Sequence, residues 1–137
     1  MTAAMTRART LALLGLAALA GGCMMEDAPD PAPGAEADLA RALEGRTERP
    51  AVPCVGLRDL GGNRTAGDAI IFGDNHRRIY VNRPAGGCPD LSAGRTLRVR
   101  TSMGRLCRGD IVTVVDLVSG TEYGGCGLGD FTPYDRD

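Results

Sequence analysis

The sequence predicts a mainly β domain, a small antiparallel sheet or partly open barrel of five to six strands with disulfides, preceded by a signal peptide and a flexible tether. Three observations predict it. After Pro50 the apolar residues follow the period of two that belongs to strands, in short β-branched runs separated by glycines and other turn formers. The chain carries two Phe, three Tyr and no Trp, little aromatic bulk for a domain of this size to build a core from. Cys54, Cys88, Cys107 and Cys126 lie in the same region and supply a covalent substitute.

The N-terminus predicts export. Arg7 and Arg9 form a short basic start, and LALLGLAALA (11–20) is an uncharged apolar run of signal-peptide length. It is shorter than the roughly 20 residues a spanning helix needs. AGGC (20–23) is similar to a bacterial lipobox, in which the cysteine thiol takes a diacylglyceryl group and becomes the mature N-terminus. The predicted division is therefore a signal peptide over 1–22, an acylated Cys23 with an acidic tether over 23–49, and a β domain over 50–137. Several acyl chains on one residue make a lasting anchor where one chain holds only marginally. Met24 is not the aspartate that retains lipoproteins at the inner membrane, so the predicted location is the outer membrane, facing the periplasm. Cleavage after Ala18-Leu19-Ala20 is the alternative, and it predicts a soluble periplasmic or secreted protein.

All sixteen basic residues are arginines. From Cys23 onward 14 Arg stand against 17 Asp and Glu, a formal −3, which excludes a general nucleic-acid binder. The imbalance is local: 24–49 holds 3 Arg and 7 acids, whereas 50–137 holds 11 Arg and 10 acids. MEDAPDPAPGAEAD (25–38) has prolines at alternate positions and reads as an extended spacer. EADLARALEG (36–45) follows with Leu39 and Leu43 on one helical face and Gly45 as a stop, which predicts a weak two-turn helix within the linker.

In the domain, DAIIF (68–72) and RIYVN (78–82) flank GDNHR and predict a hairpin. RTLRVRT (95–101) alternates Leu97 and Val99 inward with Arg98 and Arg100 outward. DIVTVVDLV (110–118) is the strongest strand, apolar on both faces and hence predicted to be central. SGTEYGG supplies a turn and CGLGDF a short, glycine-interrupted last strand. Four cysteines allow three pairings. The expectation is Cys54 with Cys126, joining the domain ends, and Cys88 with Cys107 between them. Zinc is disfavoured, since no C-x-x-C pair occurs and the cysteines lie 19 or more residues apart.

Across Cys54 to Pro133 the motifs Cys-Pro-x-Leu (88–91), Leu-Cys-x-x-Asp (106–110) and Cys-x-Leu-Gly-x-Phe (126–131) follow a first cysteine and a strand pair. This arrangement resembles a family of small exported proteobacterial proteins of unknown function. Asp90 stands where that pattern more often has glycine, and Val99 where it has an aromatic residue. The resemblance implies a signal peptide or lipobox and paired cysteines, and it brings no activity.

Four features invite a functional reading. GGCGLGD (124–130) has the glycines of a phosphate loop, but such loops open a helix and here Phe-Thr-Pro follows, so the glycines are read as bulges and close strand contacts. His76, the only histidine, sits in the predicted hairpin tip with Asp74 and Asn75 and is read as an exposed turn residue. Arg108-Gly109-Asp110 matches an adhesion tripeptide, although Asp110 more simply starts a strand. Arg95, Arg98, Arg100, Arg105 and Arg108 are the densest signal, five cations in fourteen residues that would grip phosphates of lipopolysaccharide or carboxylates of a protein partner by bidentate hydrogen bonds.

The sequence thus predicts a non-enzymatic cell-envelope lipoprotein with a β interaction domain. Its expected partners are the membrane, through the N-terminal lipid, and an envelope protein or lipopolysaccharide, with no cofactor, metal or nucleic acid. The alternative is a secreted periplasmic module that binds or hydrolyses a small ligand, with Asp74, His76 and Asp110 meeting in a cleft.

Overall fold

The computed structural model describes residues 34–73, 77–92 and 94–137, so Cys23, the signal segment and most of the predicted tether lie outside the described residues. The first described element is helix α1, Ala35–Leu43. Glu36 and Asp38 in its first turn and Arg41 in its last suit the helix dipole. Leu39, Ala42 and Leu43 come to one side and pack on Ala66, Ala69, Ile71, Ile79 and Val81. Gly45, at φ 68°, reverses the chain into strand β1, Arg46–Glu48. Residues 35–48, expected as the end of a tether, are thus part of the folded unit. The leucine pair had a sheet to cover, which helix propensity alone does not reveal.

Strand β2 is Cys54–Gly56, a one-turn helix α2 is Leu57–Leu60, and strand β3 is Asn63–Ala66. The predicted hairpin forms as β4, Ala69–Phe72, and β5, Arg78–Asn82, with Phe72 opposite Tyr80. Strand β6 is Arg95–Arg98, β7 is Arg105–Cys107, β8 is Ile111–Asp116, β9 is Glu122–Gly127 and β10 is Phe131–Arg136. The mainly β class holds, with ten short strands among the described residues in place of five or six. They form antiparallel sheets of five, two and three strands, ordered β1-β10-β5-β4-β3, β2-β7 and β6-β8-β9, and no closed barrel.

The five-stranded sheet is covered on both faces, and period-two alternation explains how. Ala69, Ile71, Ile79 and Val81 face α1, whereas Ile70, Phe72, Tyr80 and Phe131 face the smaller sheets. On that second side Val55, Leu60, Leu91, Leu97, Leu106, Val112, Val114 and Leu128 complete the main core. Phe72 and Phe131 meet there with ring centroids 5.8 Å apart, tilted by 50°, within the favoured range for aromatic pairs. β8 is central in its sheet as predicted, and Val112 and Val114 are its core face.

Two polar links join the layers. Asn63 on β3 exchanges hydrogen bonds with the Thr96 hydroxyl, at 3.2 and 3.3 Å, and accepts the Leu97 N–H. Asn82, wholly buried, donates to the Gly129 carbonyl at 2.8 Å and accepts the Gly129 N–H at 2.9 Å. Gly129 itself has no room for a side chain, since a Cβ there would stand 2.5 Å from the Arg83 carbonyl oxygen. A close backbone approach therefore explains the last glycine of GGCGLGD.

The disulfides are Cys54–Cys107 and Cys88–Cys126, which corrects the expected pairing of Cys54 with Cys126 and Cys88 with Cys107. β2 and β7 pair antiparallel with Cys54 directly opposite Cys107, their Cα atoms 4.0 Å apart. Cys126, opposite Val112 on β9, turns into the core and meets Cys88 from the loop after β5, at a Cα separation of 5.3 Å. The bonds span 53 and 38 residues, so by loop entropy each stabilises the fold by about 4 kcal/mol.

Candidate functional site

The five predicted arginines do not converge. Leu97 is buried and Val99 half-buried against the core, as the alternation required, which leaves Arg98 and Arg100 outward. Both turn to one carboxylate on the neighbouring hairpin: Arg98 pairs with Glu122, and Nη2 of Arg100 lies 3.7 Å from it. The Arg95 guanidinium lies 3.6 Å over the Tyr123 ring and donates to the Asp90 carbonyl at 2.8 Å. Arg108 bonds both carboxylate oxygens of Asp130 at 3.2 Å. Arg105, on β7 in the two-stranded sheet, is exposed and makes no ion pair among the described residues.

Arg108-Gly109-Asp110 forms a tight turn. The Asp110 carboxylate accepts the Cys107 N–H at 2.8 Å while the Asp110 N–H donates to the Cys107 carbonyl, and Gly109 takes φ 88°. The carboxylate is thereby committed to the turn, as Asx residues often are. Asp74 and His76, the other members of the alternative cleft, lie outside the described residues.

A second set of arginines does converge. Where β1, β10 and β5 meet, Asp135 accepts from Arg78 Nε and Nη2 at 2.5 and 2.8 Å and from Arg49 Nε at 3.1 Å. The Arg78 hydrogen bonds, and then Arg49, hold the Asp135 carboxyl down at about 2 despite its partial desolvation. The same bonds raise Arg78 above its usual value. These three side chains line a cleft of about 630 Å³ together with Arg58, Arg77 and Arg136. Arg58 comes from α2, so the cleft opens between the end of the five-stranded sheet and the layer beneath it. Asp59 and Asp137 also border it. A smaller hollow of about 360 Å³ shares Arg136 and is lined besides by Arg41, Arg46 and Arg64. Partial burial, followed by repulsion from Arg136 and Arg64, pulls the Arg46 guanidinium below its ordinary value.

Sequence reasoning missed this constellation because its members stand at 49, 58, 77, 78 and 136, with no local density to notice. The order β1-β10-β5 gathers Arg49, Arg77, Arg78 and Arg136, and α2 from the layer beneath supplies Arg58. The Arg77-Arg78 pair at the foot of the predicted hairpin was the one visible signal. Among the described residues no three His, Cys, Asp or Glu side chains are placed to hold a metal ion, and no helix is long and apolar enough to cross a membrane. Comparison of the chain with protein-family models, curated proteins and solved structures returns no match.

Proposed function

We propose that the protein is a non-enzymatic lipoprotein of the bacterial cell envelope, anchored through Cys23 and facing the periplasm from the outer membrane, whose β domain binds another envelope component. The observation that carries this reading is the cysteine pairing. Cys54, Cys107, Cys88 and Cys126 are all consumed within the domain, which leaves Cys23, directly behind the apolar run and a pair of glycines, as the one thiol with a separate use. Two disulfides also suit the oxidising compartment to which a signal peptide leads. The same pairing supports membership of the small exported proteobacterial family that the chain resembles, since the cysteines of its motifs are the bonded ones.

The mass of the protein extracted from membranes tests the anchor. A triacyl increment that disappears in Cys23→Ser is expected, whereas an unmodified chain cleaved after Ala20 would establish plain secretion. Charge is the proposed means of partner recognition. Arg98 and Arg100 share one acid, Glu122, so that edge of β6 keeps an excess positive charge. Crosslinking on intact cells compares the wild type with Arg98→Ser/Arg100→Ser. Loss of an envelope partner is expected, and an identical partner set removes the role of these two residues.

A further inference from the structure

We infer that the arginine-lined cleft between the end of the five-stranded sheet and the Leu57–Leu60 turn is a binding site for a phosphate monoester dianion. Anchoring through Cys23 plays no part in this inference. Two of the five guanidinium groups, Arg49 and Arg78, are already committed to Asp135. Arg58, Arg77 and Arg136 have no side-chain ion pair among the described residues, yet they border the same cleft. Three guanidinium groups beside a fixed ion-pair cluster are an arrangement whose own stability they do not serve. Like charges brought together this way repel, and their own packing offers no compensating partner among the described residues.

The charge count selects the ligand. Counting side chains alone, five arginines stand against Asp59, Asp135 and Asp137, an excess of two cationic groups that a dianion suits. A phosphate monoester near neutral pH carries that charge and offers three acceptor oxygens, each able to take a planar guanidinium fork. A carboxylate offers one charge and two oxygens. Asp135 sharpens the selection, since it locks Arg49 and Arg78 with short hydrogen bonds and so keeps one wall rigid. At about 630 Å³ the cleft holds more than a bare phosphate, within the range of small-molecule sites, so the group is carried on a larger body such as a sugar or a lipid headgroup.

Binding of inorganic phosphate and glucose 6-phosphate to the full chain, followed by amide chemical shifts, tests the site. Saturable shifts around Arg58, Arg77 and Arg136 are expected, at least tenfold weaker in Arg58→Ser/Arg77→Ser/Arg136→Ser and unchanged in Arg83→Ser, an exposed arginine outside the cleft. Equal weakening in both variants would mean diffuse attraction to arginine and would overturn the inference, as would no weakening in the first. Should the triple variant lose its fold by circular dichroism, Arg58→Ser decides alone, because Arg58 is exposed on a one-turn helix: about threefold weaker binding is expected, and unchanged affinity overturns the site. Sedimentation with vesicles of phosphatidylcholine, with and without phosphatidic acid, distinguishes the sources. Arginine-dependent gain on phosphatidic acid identifies a lipid headgroup, and its absence alongside glucose 6-phosphate binding identifies a soluble ester. Failure of the inorganic phosphate, glucose 6-phosphate and vesicle arms alike overturns the inference.

Discussion

The two layers of this domain are held by different means. The five-stranded sheet contains no cysteine and is packed on both faces, by α1 on one side and by the main core on the other. The smaller sheets carry Cys54, Cys107 and Cys126, with Cys88 in the loop after β5, and β2 and β7 are only three residues long. A ladder that short does not hold itself. Cys54–Cys107 therefore stands on the shortest ladder, Cys88–Cys126 ties the six-residue β9 to the loop after β5, and side-chain burial holds the strands that are covered twice.

Reducing both bonds is the largest expected perturbation, since each contributes about 4 kcal/mol by loop entropy. Amide hydrogen exchange after reduction is expected to strip protection from β2, β7 and β9 before β4 and β5. Simultaneous loss in all strands would show that the two layers stand or fall together. The converse perturbation is Ile71→Ala, wholly buried beneath α1 and remote from either disulfide. It is expected to lower stability by about 3 kcal/mol in urea titrations. A loss in Cys54→Ala/Cys107→Ala/Ile71→Ala equal to the sum of the separate losses means independent layers, and a departure in either direction means that they are coupled.

Asn82→Ala acts on the seam between them. It removes both hydrogen bonds to Gly129 and leaves that half-buried backbone pair without its side-chain partner, an expected loss of about 2 kcal/mol by thermal or urea unfolding. The smallest effects are in pH. Asp135 in the five-stranded sheet is lowered to about 2 by Arg78 and Arg49, and Asp116 in the β8–β9 turn is lowered by the Ser119 and Val118 N–H groups. Both carboxylates stabilise the fold above the ordinary aspartate value near 4. The Asp135 contribution is lost as pH falls towards about 2, and the Asp116 contribution as pH falls below the ordinary aspartate value, because the unfolded chain binds the protons first. Asp135→Asn is expected to flatten the decline in stability over that interval more than Asp116→Asn does. An equal effect of the two would show that the ion pairs add nothing to the turn's hydrogen bonds.

What was legible in the sequence followed from strand length and burial. β4, β5 and β8 are runs of β-branched and aromatic residues bounded by turn formers, and that content announced them. β1, β2 and β7 span three residues each, below the length at which any period can be read. β10 was hidden by Pro133, a residue that argues against a strand between two neighbours. Its carbonyl accepts the Arg49 N–H towards the β1 side, so the missing N–H costs a rung only there. The disulfide pairing depended on β2 finding β7 across 53 residues, and the arginine cleft on β10 lying between β1 and β5. The five-arginine run showed the opposite failure, being dense along the chain and divided in space, with four of its members engaged by Tyr123, Glu122 and Asp130.

The two disulfides interlace, because Cys88 lies inside the loop closed by Cys54 and Cys107 while Cys126 lies beyond it. For a chain threaded through a membrane N-terminus first, Cys54 and Cys88 arrive in the oxidising compartment before either native partner. The earliest bond available to them is therefore one that the finished domain does not contain. Such a chain must hold its first two thiols reduced until Cys107 follows, or exchange a premature bond afterwards through mixed-disulfide chemistry. Maturation along such a route would be tied to the order of emergence and to the thiol catalysts present at the exit.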